Sequence, residues 1–189
     1  MGNKFMFSQD WFSHNIPLLH RALARFSEKA VQGLEIGSYE GRSTVWLMEN
    51  ILKHPHSDMT VIDTFMGSAE HADVPPDLRR KFDENVSAFK DRIRVLEGPS
   101  RTHLRSLPFD RYEFIYIDGS HVAADVLSDA VLSWPLLRHG GILIFDDYRW
   151  GADLPELMKP GIAIRAFMSV FESQYAVVSD QYQMIISKL

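Results

Sequence analysis

Three aspartates end runs that read as buried strands. Asp118 follows Phe114-Ile115-Tyr116-Ile117, and Asp146 and Asp147 follow Ile142-Leu143-Ile144-Phe145. Both runs are short, apolar and rich in aromatic and β-branched residues. Between them Val122, Val126, Leu127, Ala130, Val131, Trp134 and Leu137 recur at helical spacing. Strand, crossover helix, strand is a βαβ unit with parallel strands. Their carboxyl ends then share one edge of the sheet, where open α/β sheets take ligands. Two carboxylates about 4 Å apart repel by roughly 4 kcal/mol at an effective dielectric near 20. Three in one cleft therefore ask for a cation, and oxygen donors favour Mg²⁺, Ca²⁺ or Mn²⁺ over zinc. The plainer alternative is that one acid faces solvent and caps a helix.

A second chemical feature lies upstream. Gly33-Leu34-Glu35-Ile36-Gly37 reads as a strand running into a turn, Ser38 to Thr44, before an apolar helix through Val45 to Leu52. Glycine at 37 permits a tight turn and a close backbone approach to a ligand. The helix start offers N–H groups and the Ser43 and Thr44 hydroxyls to a carboxylate or phosphate. The third glycine of the dinucleotide fingerprint is missing. Met59 to Asp63 is a further strand, and Asp63 lies where such a sheet places a ribose-binding carboxylate. Ile93 to Leu96 is another, and Glu97-Gly98-Pro99-Ser100 follows it at the same edge.

The remaining elements must hold these ends in place. Residues 1–32 read as helical, with Pro17 opening a second helix. Their apolar stripe packs on the core, or else Trp11, Phe12 and His14 roof a pocket. Residues 64–76 form a polar loop long enough to be a lid. Asp77 to Phe89 reads as a helix whose Arg79, Arg80 and Lys81 form a solvated face. A helix from Pro160 precedes two strands, Tyr175 to Val178 and Tyr182 to Ile186, too close for an intervening helix and so antiparallel.

The chain has 189 residues, 46% of them hydrophobic, which suits a single domain spanning residues 1–189. The net charge of −5 argues against a nucleic-acid partner. There is no cysteine, hence no disulfide framework or thiolate site. No run approaches membrane-spanning length, so a cytoplasmic protein with no membrane partner is expected.

Taken together, EIGSYEGRST, VIDTF, EGPS, YIDGSH and FDDY resemble the motifs of a class I S-adenosylmethionine-dependent methyltransferase. The chain is similar in particular to the bacterial family that includes sugar O-methyltransferases of macrolide and aminocoumarin pathways. Catechol O-methyltransferase is a more distant likeness. The resemblance implies a Rossmann-like α/β fold: a seven-stranded, mostly parallel sheet with one antiparallel strand and helices on both faces. It implies that Glu35, Gly37, Ser38 and Tyr39 surround the methionine part of S-adenosylmethionine, with Ser43 near its carboxylate. Asp63 and Thr64 would hold the ribose, Gly98 and Ser100 the adenine, and Asp118 and Gly119 would also face the cofactor. Asp118, Asp146 and Asp147 would hold a divalent cation such as Mg²⁺. His121 stands where the catechol enzyme has its catalytic lysine.

The expected reaction is metal-assisted O-methylation of a small-molecule hydroxyl, on a sugar or natural product. His121 is the candidate base and Asp118 the catalytic acid residue at the cation. Two other readings compete: an NAD(P)-dependent oxidoreductase on the same kind of sheet, and a cofactor-binding module without catalysis. The N-terminal helices offer a route to a homodimer.

Overall fold

A computed structural model of the chain describes residues 5–67 and 74–189. In chain order its elements are α1 (Ile16–Leu23), β1 (Gln32–Ile36), α2 (Arg42–Asn50), β2 (Asp58–Asp63), α3 (Leu78–Asn85), β3 (Ile93–Glu97) and α4 (Ser100–His103). There follow β4 (Tyr112–Ile117), α5 (Ala123–Ser133), β5 (Leu137–Phe145), α6 (Pro160–Val170), β6 (Tyr175–Asp180) and β7 (Met184–Lys188). The strands form one seven-stranded sheet in the order β3-β2-β1-β4-β5-β7-β6. The first five run parallel, and β7 lies antiparallel to both β5 and β6.

Period-two alternation in the strands divides the core between two faces. Leu34, Ile36, Ile115, Ile117, Leu143 and Phe145 join Val126 and Ala130 of α5 and Ile164 and Phe167 of α6. Phe114, Tyr116, Ile142 and Ile144 join Leu19 and Leu23 of α1, Leu47 and Met48 of α2 and Phe82 of α3. No helix among the described residues is long and apolar enough to cross a membrane.

Three expectations change. The described residues before Ser13 form no helix; one short turn, Ser13–Asn15, leads into α1, and Pro17 does occupy its first turn. The crossover helix ends at Ser133, and Leu137 is the first residue of β5 rather than a helical residue. Pro135 supplies no N–H to continue the α-helical ladder, and the chain passes through one 3-10 turn, Trp134–Leu136, before β5. Lys81, expected on a solvated face, instead bonds the buried Glu40 carboxylate (3.0 Å). Of the expected lid, residues 68–73 lie outside the described residues.

Register aligns the strand ends. Ile36 pairs with Ile117, and Ile117 with Phe145, so Gly37, Asp118 and Asp146 stand side by side one step beyond. Backbone bonds continue past the strands: Asp118 N–H donates to Ile36 (2.8 Å) and Asp146 N–H to Ile117 (3.0 Å). Gly37 has φ +83°, and a β-carbon there would lie 2.0 Å from the Asp118 carbonyl oxygen. Only glycine lets β1 turn this close to β4.

Beneath the turn Glu35 is fully buried and accepts hydrogen bonds from the Ser43 hydroxyl (2.5 Å) and from the Thr44 hydroxyl. Burial pushes its pKa up to about 7, against the lowering effect of the two hydroxyls. The folded state thus holds this proton more tightly than the unfolded chain. The stabilisation is complete below the ordinary glutamate range and is lost as pH rises through about 7. Its full size is roughly 3 kcal/mol. In metal-free buffer the melting temperature should fall between pH 5 and 8, and should fall less for Glu35→Gln. Parallel curves for the two proteins would refute this account. Gly37→Ala should lower the unfolding free energy in urea by about 2 kcal/mol or more.

Candidate active site

Two cavities open at the carboxyl edge of the sheet and share a wall. The first, about 620 Å³, runs from Gly37 toward α4 and is floored by Ile36 and Ile62. The second, about 450 Å³, lies under the N-terminal segment. Gly37, Ser38, Tyr39, Asp118 and Gly119 line both.

The structure brings most of the expected cofactor residues to the first cavity. Ser38, Tyr39, Asp63 and Thr64 line one side, and Gly98 and Ser100 the other. Asp63 also builds the turn itself. Its Oδ2 accepts from the backbone N–H of Ser38 (2.6 Å) and Tyr39 (2.9 Å), and its Oδ1 from Phe65 N–H (2.7 Å). Ser43 lines only the second cavity, and Glu35 lines neither. Glu35 therefore stands behind the turn, holding the Ser43 and Thr44 hydroxyls, rather than facing a ligand.

The acids converge in a different combination from the one the sequence implied. Asp118, His121 and Asp147 place ligand atoms within 4.8 Å of one another. His121 Nε2 lies 2.8 Å from Asp147 Oδ2, and the Tyr182 hydroxyl donates to Asp147 Oδ1 (2.6 Å). The Trp150 ring sits 4.3 Å from the His121 ring between centroids. Asp146 is outside that trio. Its carboxylate accepts from the Tyr116 hydroxyl (2.5 Å), Gln183 Nε2 (2.9 Å) and Asn15 Nδ2 (3.0 Å). The two neighbours diverge because Asp147 adopts a left-handed backbone, φ +53°.

Burial, then the charges of Asp146, Asp147 and Glu35, hold the Asp118 pKa well above the carboxylate range. Burial, then Asp147, lifts Asp146 to about 6. Burial likewise raises Tyr116 and Tyr182, so both remain hydroxyl donors. A divalent cation would relieve this repulsion directly. Asp118 and Asp147 have the oxygen donors it requires, with His121 or Asp146 as the adjacent third group.

The N-terminal segment roofs the second cavity while also packing on the core. Trp11, Phe12 and His14 line it, and Phe12 packs against Trp46 and Tyr116. Ser8 ties the segment down through its N–H (2.6 Å) and hydroxyl (2.8 Å) to Glu40. Sequence reasoning missed Asn15, Tyr116, Tyr182 and Gln183 as partners of the acids. Only Tyr116 carried a signal, since two residues before Asp118 on a strand it shares that residue's face.

A family profile described as a methyltransferase domain matches residues 34–148. Nothing among curated proteins matches. Solved structures share the fold at low identity. A putative O-methyltransferase from Klebsiella pneumoniae is 18% identical over 97% of this chain and 83% of its own, with a TM-score of 0.70. The O-methyltransferase from Bacillus cereus, in complex with SAH, gives 16%, 96%, 84% and 0.69. MycE methyltransferase of the mycinamycin biosynthetic pathway, in complex with Mg, SAH and mycinamycin VI, gives 15%, 95%, 50% and 0.64. The profile match sets aside the oxidoreductase reading. Because that match runs from within β1 to just beyond the paired aspartates that follow β5, more than half of the chain, the chain belongs to this methyltransferase family.

Proposed function

We propose that the protein transfers a methyl group from S-adenosylmethionine to a hydroxyl of a small molecule, a sugar or natural product, with the help of a divalent cation such as Mg²⁺. The observation that carries this reading is the shared wall. A donor in the first cavity and an acceptor in the second would meet at Gly37, Asp118 and Gly119. The likeness to folds that hold SAH, and in MycE also Mg and a macrolide, supports it.

The donor's sulfonium supplies an activated methyl, so the protein mainly positions and orients. A cation held by Asp118 and Asp147, with Asp146 beside them, would lower the pKa of a bound hydroxyl. Tyr182 fixes one oxygen of Asp147, and the neutral donors on Asp146 hold that carboxylate in place. Trp11 and Trp150 line the second cavity and offer apolar ring faces to the acceptor. His121, which lines the same cavity, would accept the hydroxyl proton. A second reading of His121 comes from its place in the ligand trio: it serves as the third cation ligand instead.

Asp118→Ala and Asp147→Ala should each weaken Mn²⁺ binding, measured calorimetrically, and lower turnover by about a hundredfold or more. Full activity in a chelator would retire the role of the metal. With acceptors supplied as a hydrolysate screen, no methyl transfer under any metal would leave a cofactor-binding module. His121→Ala should lower kcat by roughly 10²–10⁴ with Mn²⁺ affinity unchanged if the imidazole is the base. A parallel loss of Mn²⁺ affinity would make it a ligand.

A further inference from the structure

We propose that Asn15 is a positioning residue that joins the roof of the second cavity to the acids beneath it, so that cation affinity and the order of the roof rise and fall together. The inference rests on the cation reading above. Asn15 is 3% exposed and closes the short turn Ser13–Asn15 that leads into α1. It occupies the N-cap position of α1, where an asparagine side chain ordinarily bonds the first turn of the helix. Here it makes no such bond. Its Nδ2 is turned instead to Asp146, 3.0 Å from Oδ1 and 3.2 Å from Oδ2, so one amide nitrogen reaches both oxygens. The other two side chains that donate to Asp146 among the described residues are Tyr116 of β4 and Gln183 of the turn between β6 and β7. Those two belong to the sheet and its closing hairpin. Asn15 is the donor that comes from outside the sheet.

The same turn reaches the second acid. The His14 ring meets the Tyr182 ring edge-on, 5.2 Å between centroids, and the Tyr182 hydroxyl donates to Asp147 Oδ1 (2.6 Å). At its far end the roof is held by Ser8 on Glu40 and by Arg42 Nε on the Gln9 carbonyl (2.9 Å). Trp11, Phe12 and His14, which line the cavity, lie between those ties and Asn15. The roof is thus pinned at both ends, and the pin nearer the acids is a bond to a carboxylate. Such a bond is stronger than a neutral one, and it follows the carboxylate's orientation. A cation held among these acids fixes that orientation, and groups bonded to the acids are ordered with them. By linkage, whatever the cation adds to the hold on the roof, the roof adds to cation affinity. The plainer role for Asn15 is to fill space at the start of α1, and the two roles separate experimentally.

Amide hydrogen exchange across residues 8–15, read by mass spectrometry with and without Mn²⁺, measures the order of the roof. Calorimetric titration of Mn²⁺ measures the other side of the linkage. In wild-type protein saturating Mn²⁺ should slow exchange of this segment by about fivefold or more. Asn15→Ala should reduce that response to about twofold or less and weaken Mn²⁺ binding by about tenfold. In metal-free protein Asn15→Asp, which keeps the shape but sets a third carboxylate against Asp146 and Asp147, should speed exchange at least as much as Asn15→Ala. A space-filling role predicts the opposite order, and that order would overturn the proposal. Unchanged Mn²⁺ affinity and an unchanged exchange response in Asn15→Ala would do the same. Wild-type protein that binds Mn²⁺ without any change in exchange of the segment would overturn it with no variant needed. Wild-type protein that binds no Mn²⁺ would overturn the cation reading as well, so the two failures are distinct.

Discussion

Four carboxylates, Glu35, Asp118, Asp146 and Asp147, are gathered at the carboxyl edge of the sheet, Glu35 and Asp146 buried and Asp118 and Asp147 half-buried. Burial raises the pKa values of Glu35, Asp118 and Asp146, and the neighbouring carboxylates raise those of Asp118 and Asp146 further. Neutral donors answer this locally. Ser43 and Thr44 serve Glu35, while Tyr116, Asn15 and Gln183 serve Asp146. Asp118 is left as the acid least provided for, and it stands on the wall between the two cavities. A fold built around apolar strands would discard such a cluster unless a ligand offset its cost.

The parts of the site that were legible in the sequence are those set by local pattern. An apolar run halted by an acid marks a strand end, and parallel pairing then puts Asp63, Asp118 and Asp146 at one edge whatever the loops do. Gly37 was legible because its turn tolerates no side chain. The rest depended on distance. Asn15 lies 131 residues from Asp146, and Gln183 lies 37 residues away, and nothing in an isolated Asn or Gln announces a partner. The divergence of Asp146 from Asp147 was invisible for another reason. It arises from a left-handed backbone at Asp147, which sequence spacing does not encode. Pro135, by contrast, did carry the signal that ends α5 before Leu137, but the helical spacing of the apolar residues outweighed it.

The two cavities divide the work between two kinds of wall. The first is framed by backbone turns that follow β1, β2 and β3, with Asp63 bonding the turn after β1 and the Gly98 N–H bonding the Asp63 carbonyl (2.9 Å). Such a wall is rigid because the sheet fixes it. The second is framed by aromatic side chains from the N-terminal segment, the loop after β5 and the turn between β6 and β7. Trp11 and Trp150 in that wall stand off the sheet, whereas Phe12 packs on Tyr116 of β4.

The hairpin turn that carries Tyr182 and Gln183 follows Asp147 and Asp146 in the chain by 35 and 37 residues. Asp146 and Asp147 are translated well before it, and until it docks each lacks a donor that orients it. Over that interval a nascent chain carries both acids without these donors. The aim of both acids therefore waits on the docking of β6 and β7, the last strands of the sheet in chain order.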